Sequence, residues 1–421
     1  MQVPRIIGPM LQQIDFAVVG AGPSGLALAL HAARQLPSAR ITVFDARSPD
    51  HDVRADPRAL ALSLGSVQWL QRLQAWPDVG AALIRRVHVS QAPPSWPGGE
   101  VTLCAEDQGV PLLGAVLRYG TLVEALQRAW QAAVAREPER LALRLGQAVT
   151  ALEPRPSGAA LSLGEGQEAA AVAALEHVDL AVVAEGGLFA DQAAKAVRHD
   201  YGQVAWVGEA TLEGGLDPAN GTAFERFTGA GPLAVLPLPP PPGLPPGTRR
   251  VSLVWCVSGT DDPVEALSPP RRRVLLQSLL PREAGTVADL GPLKAFPLGL
   301  NAERRLTQGR IVRIGNAAQT LHPVAGQGLN LALRDAYALV AALEGAVHGR
   351  LGGDLDAALA RLERDRATDR WSMIATTDFL ARSFTWPVPA LAPLRGLALV
   401  ALQRLPPARR QLGRHFMFGW R

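Results

Sequence analysis

The pattern of apolar and polar positions changes several times along the chain, and its first clear unit covers residues 14–45. The apolar run Ile14–Val19 is typical of a buried strand, and the glycine-rich stretch Gly20–Gly25 follows it directly. Apolar residues at helical spacing then begin at Leu26, and a second apolar run, Ile41–Phe44, ends in Asp45. This pattern predicts a strand, a tight loop, a helix with one apolar face and a second strand.

Residues 200–260 show the alternation of a half-buried sheet instead, with turn signals such as Asn220–Gly221. Two strand-like runs, Leu233–Leu238 and Arg250–Val257, flank the proline-rich segment Pro239–Pro246. We interpret that segment as a stiff loop between neighbouring strands rather than as a docking ligand for a partner. The pattern predicts a separate sheet layer that binds a substrate.

The pattern changes again after residue 306. A short strand, Ile311–Ile314, runs into the loop that begins at Gly315–Asn316. The segment Pro323–Gly328 then leads into a predicted helix, whose apolar face carries Leu329, Leu333, Ala336 and Val340.

The stretch Gly20–Gly25 is a Gly-x-Gly-x-x-Gly motif between a predicted strand and a predicted helix. The first glycine of such a motif permits the tight turn, and the second lets backbone amides approach a pyrophosphate. The third lets the helix pack closely on the strand. Asp45, twenty positions after Gly25, is placed to accept hydrogen bonds from ribose hydroxyls. These features together predict binding of an adenine dinucleotide.

The loop Pro323–Gly328 is a second candidate for stabilising an anion, because it feeds a helix N-terminus. Only one complete Gly-x-Gly-x-x-Gly unit occurs in the chain, so one dinucleotide has a dedicated domain. The two loops, about three hundred residues apart, then serve the two ends of one long cofactor. FAD fits that requirement better than NAD.

Composition narrows the class of protein. The chain has 421 residues, of which 48% are hydrophobic and 19% charged, which excludes a disordered or collagen-like chain. Its two cysteines, Cys104 and Cys256, exclude a disulfide scaffold and a cysteine-rich metal site, and they suit a reducing cytoplasm. No apolar run is long enough for a membrane-spanning helix, and a signal peptide is disfavoured by the glycines that interrupt Phe16–Leu30.

The formal net charge of +4 is concentrated in residues 379–421. That segment holds seven arginines and no acidic residue, so the other 378 residues sum to −3. Aromatic residues and leucines lie between the arginines, which is compatible with an interfacial segment on an anionic bilayer, although the following alternatives together are favoured over it. The alternatives are a helical layer packed on the protein body and a docking surface for partner proteins. Arginines interleaved with aromatic residues could also suggest nucleic-acid binding, but nothing else in the chain supports it.

Four segments are distinctive enough to compare with known families. They are Gly20–Gly25 with Asp45, Asp56–Ser63, Gly221–Thr228 and Gly315–Asn330. The last contains Asn-Ala-Ala-Gln-Thr-Leu-His-Pro, where relatives often carry Asp-Ala-Ala-His. Through these segments the chain, from about Ile14 onward, resembles the FAD-dependent aromatic hydroxylases of ubiquinone biosynthesis, which are class A flavoprotein monooxygenases.

The resemblance implies an α/β fold of the para-hydroxybenzoate hydroxylase type. A Rossmann-like FAD-binding domain is expected at residues 1–84, 110–198 and 300–345. An inserted antiparallel-sheet substrate domain is expected at residues 85–109 and 199–299. A C-terminal helical segment would occupy residues 346–421.

The resemblance also implies the residues of the site. Arg58 is expected at the FAD pyrophosphate or flavin edge, Gly315–Asn316 at the pyrophosphate and ribitol, and Ala325–Asn330 beside the N1–C2 side of the flavin. His322 and Pro323 are implied as catalytic, with His322 either relaying the phenol proton or supporting its loop. The full implied cofactor set is Gly20, Gly22, Pro23, Ser24, Gly25, Asp45, Arg58, Arg118, Glu185, Gly186, Gly315, Asn316, Pro323, Ala325, Gly326, Gln327, Gly328, Leu329 and Asn330.

The chain departs from the family pattern after the strand that contains Val182–Val183. Relatives carry Ala-Asp-Gly there, whereas this chain reads Ala-Glu-Gly-Gly at residues 184–187, and an arginine common a few residues later is missing. Glu185 is one methylene longer than Asp, so we expect FAD binding to be retained with some strain. The interaction with nicotinamide is the step that this departure affects.

The reaction implied by the resemblance is hydroxylation of a polyprenylated phenol, 2-polyprenyl-6-methoxyphenol, with NAD(P)H and O2 through a C4a-hydroperoxyflavin. Hydroxylation at another ring carbon, a flavin-binding non-catalytic subunit and a plain NAD-dependent dehydrogenase are the alternatives. Expected partners are the phenol, O2, other ubiquinone-biosynthesis proteins and a membrane surface, and nucleic acid is not expected. The expected location is cytoplasmic, including the inner face of the cytoplasmic membrane.

Four further residues have two interpretations each. Glu225 and Arg226 are either substrate-side groups or a solvated cross-strand pair, and the second interpretation is favoured. Trp206 and Trp255 either wall a pocket for a prenyl tail or pack in an ordinary core, and core packing is favoured.

Overall fold

The protein is described by a computed structural model that covers residues 13–56, 58–92, 99–165, 174–186, 192–217, 220–348, 353–386 and 391–420. The strands in these ranges are β1 Asp15–Val19, β2 Arg40–Asp45, β3 Ala59–Ser63, β4 Ala81–Ile84, β5 Arg86–Ala92, β6 Glu100–Cys104, β7 Gly114–Arg118, β8 Leu141–Leu145, β9 Gln147–Arg155, β10 Gly158–Glu165, β11 Ala174–Val178, β12 Leu180–Val183, β13 Val197–Glu213, β14 Thr222–Thr228, β15 Pro232–Pro237, β16 Thr248–Ser258, β17 Thr286–Leu290, β18 Lys294–Ala302, β19 Thr307–Gln308, β20 Ile311–Arg313 and β21 Gln319–Thr320. The α-helices are α1 Pro23–Gln35, α2 Leu64–Arg72, α3 Ala105–Gln108, α4 Tyr119–Arg136, α5 Pro269–Leu279, α6 Gln327–Val347, α7 Leu355–Ser383, α8 Leu391–Arg404 and α9 Pro406–Phe418.

The first layer is a six-stranded sheet with the order β19-β20-β12-β1-β2-β8, in which all strands but the edge strand β19 run parallel. Because the strands are parallel, the carboxyl ends of β1, β2, β12 and β20 meet at one edge. The chain segments that leave this edge begin at Gly20, Asp45, Ala184 and Ile314. This topology brings together motifs that lie far apart in the sequence.

Helices cover one face of this sheet, and a second sheet, β9 to β11, covers the other. The apolar residues expected on one face of α1, including Leu26, are buried, and so is every other residue from Pro23 to Ala33. The helix lies against the sheet and also contacts α4 and α6, so no side of it faces water. The predicted order of strand, loop, helix and strand is confirmed.

The second large layer is a nine-stranded sheet with the order β21-β18-β13-β16-β15-β14-β5-β6, to which β17 adds by pairing with β13. It is antiparallel apart from the parallel pair β5 and β14. The runs predicted around the proline-rich loop do form neighbouring strands, with Leu233 paired to Trp255. Two separate chain segments, residues 86–104 and 197–302, supply most of this sheet, and the exact domain boundaries stay a prediction.

Trp206 and Trp255 pack inside the core between this sheet and α5, so core packing is the interpretation that applies to them. The Trp206 indole also donates a hydrogen bond to Asp262 over 2.8 Å. Neither residue lines either of the cavities described below.

The C-terminal helices pack on the body of the protein. Arg366 of α7 lies within 2.7 Å of both Asp335 and Asp369, and Arg409 of α9 lies 2.9 Å from Asp107. The segment 379–421 thus forms, over its described residues, the packed helical layer that was one of its alternatives. No helix among the described residues has the length and apolar character needed to cross a membrane.

Candidate active site

The Gly-x-Gly-x-x-Gly loop connects β1 to α1 at the carboxyl edge of the parallel sheet. Gly20 adopts a φ of 107°, which favours glycine, and a Cβ on Gly25 would lie 2.0 Å from the Gly20 carbonyl oxygen. Gly22 is the N-cap of α1, where no side chain caps the helix and no acidic residue occupies the first turn. The first amides of α1 are therefore available to an anion in the adjoining cavity.

Asp45 ends β2 beside this loop and is held by an arginine that the sequence analysis did not single out. Its carboxylate accepts hydrogen bonds from the Ala21 amide at 2.7 Å and from Arg47 Nε and Nη2 at 2.8 and 2.7 Å. Burial raises the pKa of Asp45, but the hydrogen bonds and charge of Arg47 outweigh it and hold the pKa below its usual value. Asp45 is thus an ionised acceptor with a fixed orientation.

A cavity of about 1120 Å³ follows the carboxyl edge of the parallel sheet. Its volume exceeds the range of about 300–1,000 Å³ for ordinary ligand pockets, which suits a dinucleotide. Twelve of the residues implied by the family resemblance line it, namely Gly20, Gly22, Pro23, Ser24, Asp45, Arg58, Glu185, Gly186, Gly315, Asn316, Gly328 and Leu329. A Cβ added to Gly328 would meet nothing within 4 Å, so the backbone at this point is open to a bound group. These features fit FAD.

Seven of the implied residues do not line this cavity. Five of them belong to the loop before α6 and its first turns, namely Pro323, Ala325, Gly326, Gln327 and Asn330, and the other two are Gly25 and Arg118. Gly25 is enclosed between the Gly20 carbonyl and Ala184, where it sets the spacing of helix and strand. The Arg118 side chain donates to Glu209 Oε1 over 2.7 Å and does not line the cavity.

Besides Arg47, the cavity contains Lys195 and Tyr119, which no motif in the sequence indicated. Lys195 donates to the Asn316 carbonyl at 2.8 Å and to Gln192 Oε1 at 2.7 Å, and burial lowers its pKa to about 8. The Tyr119 ring lies under Arg58, whose guanidinium carbon is 4.6 Å from the ring centroid. The only sequence signal for Lys195 was its rarity, because the chain has just two lysines.

Glu185, the departure from the family pattern, lies in the cavity wall. Desolvation in the cleft and the charge of Asp45 raise its pKa. Gly186 approaches Asn316 so closely that an added Cβ would lie 2.3 Å from the Asn316 Cβ. The remainder of this departure, residues 187–191, lies outside the described residues.

The loop before α6 forms the other end of the site. Ala325 and Gly326 both adopt positive φ values, 61° and 58°, and Gly326 is the N-cap of α6 without a capping side chain. Asn330 holds this loop to β3, because its amide donates to the carbonyls of Gly326 and Ala61 over 2.9 Å each. The loop therefore presents the amide end of α6 in a fixed position.

His322 is buried with both ring nitrogens engaged by the protein. Its Nε2 lies 2.9 Å from Gln203 Oε1, and its Nδ1 accepts a hydrogen bond from the Val324 amide at 3.2 Å. Burial lowers its pKa to about 3, so the ring is neutral at physiological pH. This geometry supports the loop-positioning role, and a catalytic role for His322 and Pro323 stays a prediction.

A second, apolar cavity of about 260 Å³ lies beyond this loop. Neighbouring residues line the two cavities, Leu60 and Gly328 the first and Ala61 and Gln327 the second. The C-terminal helices supply part of the wall of the second cavity through Leu399, Leu402, Leu412, Phe416 and Met417. Among the described residues, no group of three His, Cys, Asp or Glu side chains is placed to hold a metal ion.

A parallel sheet with a long cavity at its carboxyl edge, and a second sheet with an apolar cavity beside it, form the para-hydroxybenzoate hydroxylase fold. Residues 237–375 match the family described as FAD binding domain. Ubiquinone hydroxylase UbiL of Rhodospirillum rubrum is 30% identical over 426 residues, covering 98% of this chain and 92% of the relative. The chain belongs to the family of FAD-dependent ubiquinone hydroxylases.

Two further comparisons agree with this assignment. The 3-demethoxyubiquinol 3-hydroxylase of Escherichia coli strain K12 is 30% identical over 417 residues, covering 95% of this chain and 97% of the relative. The crystal structure of Klebsiella pneumoniae HpxO complexed with FAD and uric acid aligns with a TM-score of 0.67 at 16% identity, covering 95% of this chain and 96% of that chain. The last comparison shows the fold alone.

Proposed function

We propose that the protein hydroxylates the ring of a polyprenylated phenol in ubiquinone biosynthesis, with 2-polyprenyl-6-methoxyphenol as its substrate and NAD(P)H and O2 as co-substrates. The observation that carries this proposal is the apolar cavity of about 260 Å³ beside the α6 loop. Its wall is almost entirely aliphatic and aromatic, which suits a ring with an isoprenoid tail. The names of the two relatives support the same substrate class.

In this proposal the chain holds FAD at four points. The α1 amides next to Gly22 would bind the pyrophosphate, and Asp45 would accept hydrogen bonds from the ribose hydroxyls. The backbone at Gly315–Asn316 would lie along the pyrophosphate and ribitol. The α6 N-terminus, beginning at Gly326, stabilises negative charge on the flavin. Bound FAD supplies the electron transfer and oxygen activation that side chains do not provide.

The apolar cavity orients the ring and excludes water. The side chains of Val324 and Ala325 bring the α6 loop to its wall, while Phe227 and Phe384 stack at 3.9 Å between centroids on another side. Each buried methylene of an isoprenoid tail adds about 0.8 kcal/mol of favourable transfer free energy. The tail therefore supplies binding free energy while the ring occupies the end nearest the flavin.

Product analysis tests the reaction. Purified holoenzyme is incubated with NADH or NADPH, 18O2 and short-tail polyprenyl-methoxyphenols, and we expect a product that has gained one 18O atom. NMR of the product gives the hydroxylated carbon. A hydroxyl at another carbon would refute the specific substrate. Failure of NAD(P)H to reduce the flavin, together with no labelled product when every ubiquinone precursor is offered, would favour a non-catalytic flavin-binding subunit.

We also propose that residues 379–421 contact a membrane surface. Six of the eleven exposed large apolar side chains among the described residues lie in this segment, namely Phe379, Trp386, Leu394, Leu397, Leu405 and Trp420. Such a concentration of apolar side chains among arginines fits an anionic lipid surface, where a polyprenyl substrate resides. Contact of the same segment with other ubiquinone-biosynthesis proteins is the competing explanation.

Flotation with lipid alone separates these explanations. We expect the protein to float with vesicles of phosphatidylglycerol and phosphatidylethanolamine, and the double variant Leu394→Asp, Leu397→Asp to bind at least about tenfold more weakly, because two leucines lose their burial. Val274→Asp is the matched control, since Val274 is 68% exposed on α5. Equal flotation of all three proteins would exclude this surface as the lipid contact.

A further inference from the structure

Glu225 is the one acidic side chain that lines the apolar cavity. It lies on β14, where successive side chains point to opposite faces of the sheet. Its neighbour Arg226 therefore points away from it and donates to the Leu279 carbonyl at 3.2 Å. The expectation of a solvated pair between Glu225 and Arg226 is wrong, because adjacent residues of one strand do not face each other.

Glu225 is half-buried, and its Oε1 is enclosed with no hydrogen-bond partner among the described residues. Burial raises its pKa to about 7, although the Ala325 backbone amide opposes this by donating to the carboxylate. A second buried acceptor, Gln327 Oε1, lines the same cavity and is also without a partner among those residues. Two acceptor oxygens to which no donor is bound indicate that the natural occupant of the cavity brings a hydrogen-bond donor.

Among the described residues that line the cavity, none is a cation that could pair with the Glu225 carboxylate. In the sheet, Glu225 is paired with Val89 of β5 and Ala234 of β15. The C-terminal helices contribute Phe384, Leu402 and Phe416 to the cavity wall. The titratable neighbour is Cys256 of β16, whose thiol stays protonated because burial and the charge of Glu225 raise its pKa well above 9.0. The carboxylate is thus stabilised by one backbone amide and by whatever donor enters the cavity.

We propose that Glu225 is the catalytic residue that accepts the proton of the substrate's phenolic hydroxyl. This inference rests on the proposed function, since it assigns a role toward the same phenol. The phenolic O–H bond breaks, its electron pair stays on the phenol oxygen, and the proton forms a new O–H bond on the Glu225 carboxylate. The ring gains electron density and becomes a better nucleophile toward electrophilic oxygen. The ring carbon that attacks the electrophilic oxygen forms a C–O bond and then releases its hydrogen as a proton, which balances the negative charge left on the oxygen donor. The product phenolate recovers the proton held by Glu225, and the carboxylate is restored.

Equilibrium binding to the oxidised holoenzyme tests the contact without turnover. The probes are a short-tail methoxyphenol and its methyl ether, which has the same shape but no O–H donor. We expect wild type to prefer the phenol by roughly 10–100-fold, the range for a hydrogen bond to a charged group, and Glu225→Gln to lose most of that preference. Glu213→Gln, an exposed carboxylate on β13 of the same sheet, should behave as wild type.

Kinetics with ring-fluorinated phenols test the proton transfer. Acidic phenols ionise without a base, so the ratio of wild-type to Glu225→Gln kcat should fall as the pKa of the phenol falls, whereas a packing defect would give a constant ratio. In wild type, kcat/KM should rise with pH through about 7, where the Glu225 carboxyl ionises, and Glu225→Gln should lack this limb.

The outcomes separate this inference from the proposed function. Equal binding of phenol and ether by wild type, or a kcat ratio independent of phenol pKa, would overturn the role of Glu225 while labelled product still formed. Failure of the wild type to form labelled product would overturn the proposed hydroxylase activity. A binding preference for the phenol that depends on Glu225 would still support the contact between Glu225 and the phenolic hydroxyl.

Discussion

Replacement of Gly22 by alanine isolates the contact between α1 and the cofactor from the stability of the fold. An added Cβ would meet only the Tyr119 hydroxyl, at an ordinary 3.6 Å, and the backbone at Gly22 has a φ of −82° that alanine adopts freely. Alanine is a poorer N-cap than glycine, so we expect the apoprotein to lose less than about 1 kcal/mol. The new methyl projects into the dinucleotide cavity, where the pyrophosphate must approach the α1 amides.

The expected loss of FAD affinity follows from these hydrogen bonds. A hydrogen bond to a charged group contributes about 1.5–3 kcal/mol, so displacement of the pyrophosphate should weaken FAD binding roughly 10–100-fold. Gly25→Ala is the matched contrast, because its Cβ would lie 2.0 Å from the Gly20 carbonyl and 3.2 Å from Ala184. Separating helix from strand should destabilise the apoprotein by about 3 kcal/mol or more, at the upper end of overpacking effects.

Fluorescence titration of apoprotein with FAD gives the dissociation constants, and thermal unfolding followed by circular dichroism gives the Tm of each apoprotein. We expect Gly22→Ala to keep the wild-type Tm within a few degrees and to bind FAD weakly, and Gly25→Ala to lose Tm before FAD is added. Unchanged FAD affinity in Gly22→Ala would refute the placement of the pyrophosphate at the α1 N-terminus. A wild-type Tm in Gly25→Ala would refute the close packing of α1 on β1.

Three further predictions address other parts of the site. The folded protein holds His322 neutral with a pKa of about 3, whereas a histidine in the unfolded chain has a pKa of about 6.5. Between these values the unfolded chain binds one more proton than the folded protein. The free energy of unfolding should therefore fall as the pH decreases through this window, by up to about 1.4 kcal/mol per pH unit. Urea unfolding between pH 4 and 7 should show a shallower slope in His322→Gln, and an unchanged slope would contradict the buried neutral ring. Glu185→Asp moves the carboxylate away from Asp45. Stopped-flow absorbance should then show faster reduction of FAD by NAD(P)H, with the affinity for FAD unchanged. An equal rate would exclude Glu185 as the group that affects the interaction with nicotinamide. Leu402→Trp fills the apolar cavity and should raise KM for a prenylated phenol about tenfold, which corresponds to the loss of about two buried methylenes. Leu405→Trp is the control, because Leu405 lies on the same C-terminal segment but is 54% exposed, and its KM should be unchanged.

The parts of the fold that could be predicted are those in which local pattern and motif agree. The unit from Ile14 to Asp45 combines a continuous apolar strand, a glycine motif and a second strand at fixed spacing, so its structure is determined locally. The burial of α1 on all sides was not predictable in the same way, because it depends on α4 and α6, which come about a hundred and three hundred residues later.

The site residues that escaped prediction act through contacts between distant segments. Lys195 reaches the dinucleotide cavity through contacts with two distant segments, because its amide donates to Asn301 of β18 and its Nζ to the Asn316 carbonyl after β20. Arg47 was more accessible to sequence reasoning, since it follows Asp45 by only two positions and its backbone amide and Nε both donate to the Asp45 carboxylate. Glu225 could be noticed from its place in a family segment, but its isolation in an apolar cavity depends on β5, the α6 loop and the C-terminal helices together.

The C-terminal helices connect the proposed substrate site with the proposed lipid contact. Leu399, Leu402 and Leu412 face the apolar cavity, whereas Leu394 and Leu397 of the same segment are exposed. A helix in contact with water on its outer side usually carries polar residues there, so the exposed leucines support the proposed contact with an apolar environment on that side. If the outer environment is lipid, a polyprenyl tail passes from bilayer to cavity across these two helices without crossing water. The arginines then have the role of anchoring the helices to anionic headgroups and, through Arg409 and Asp107, to the protein body.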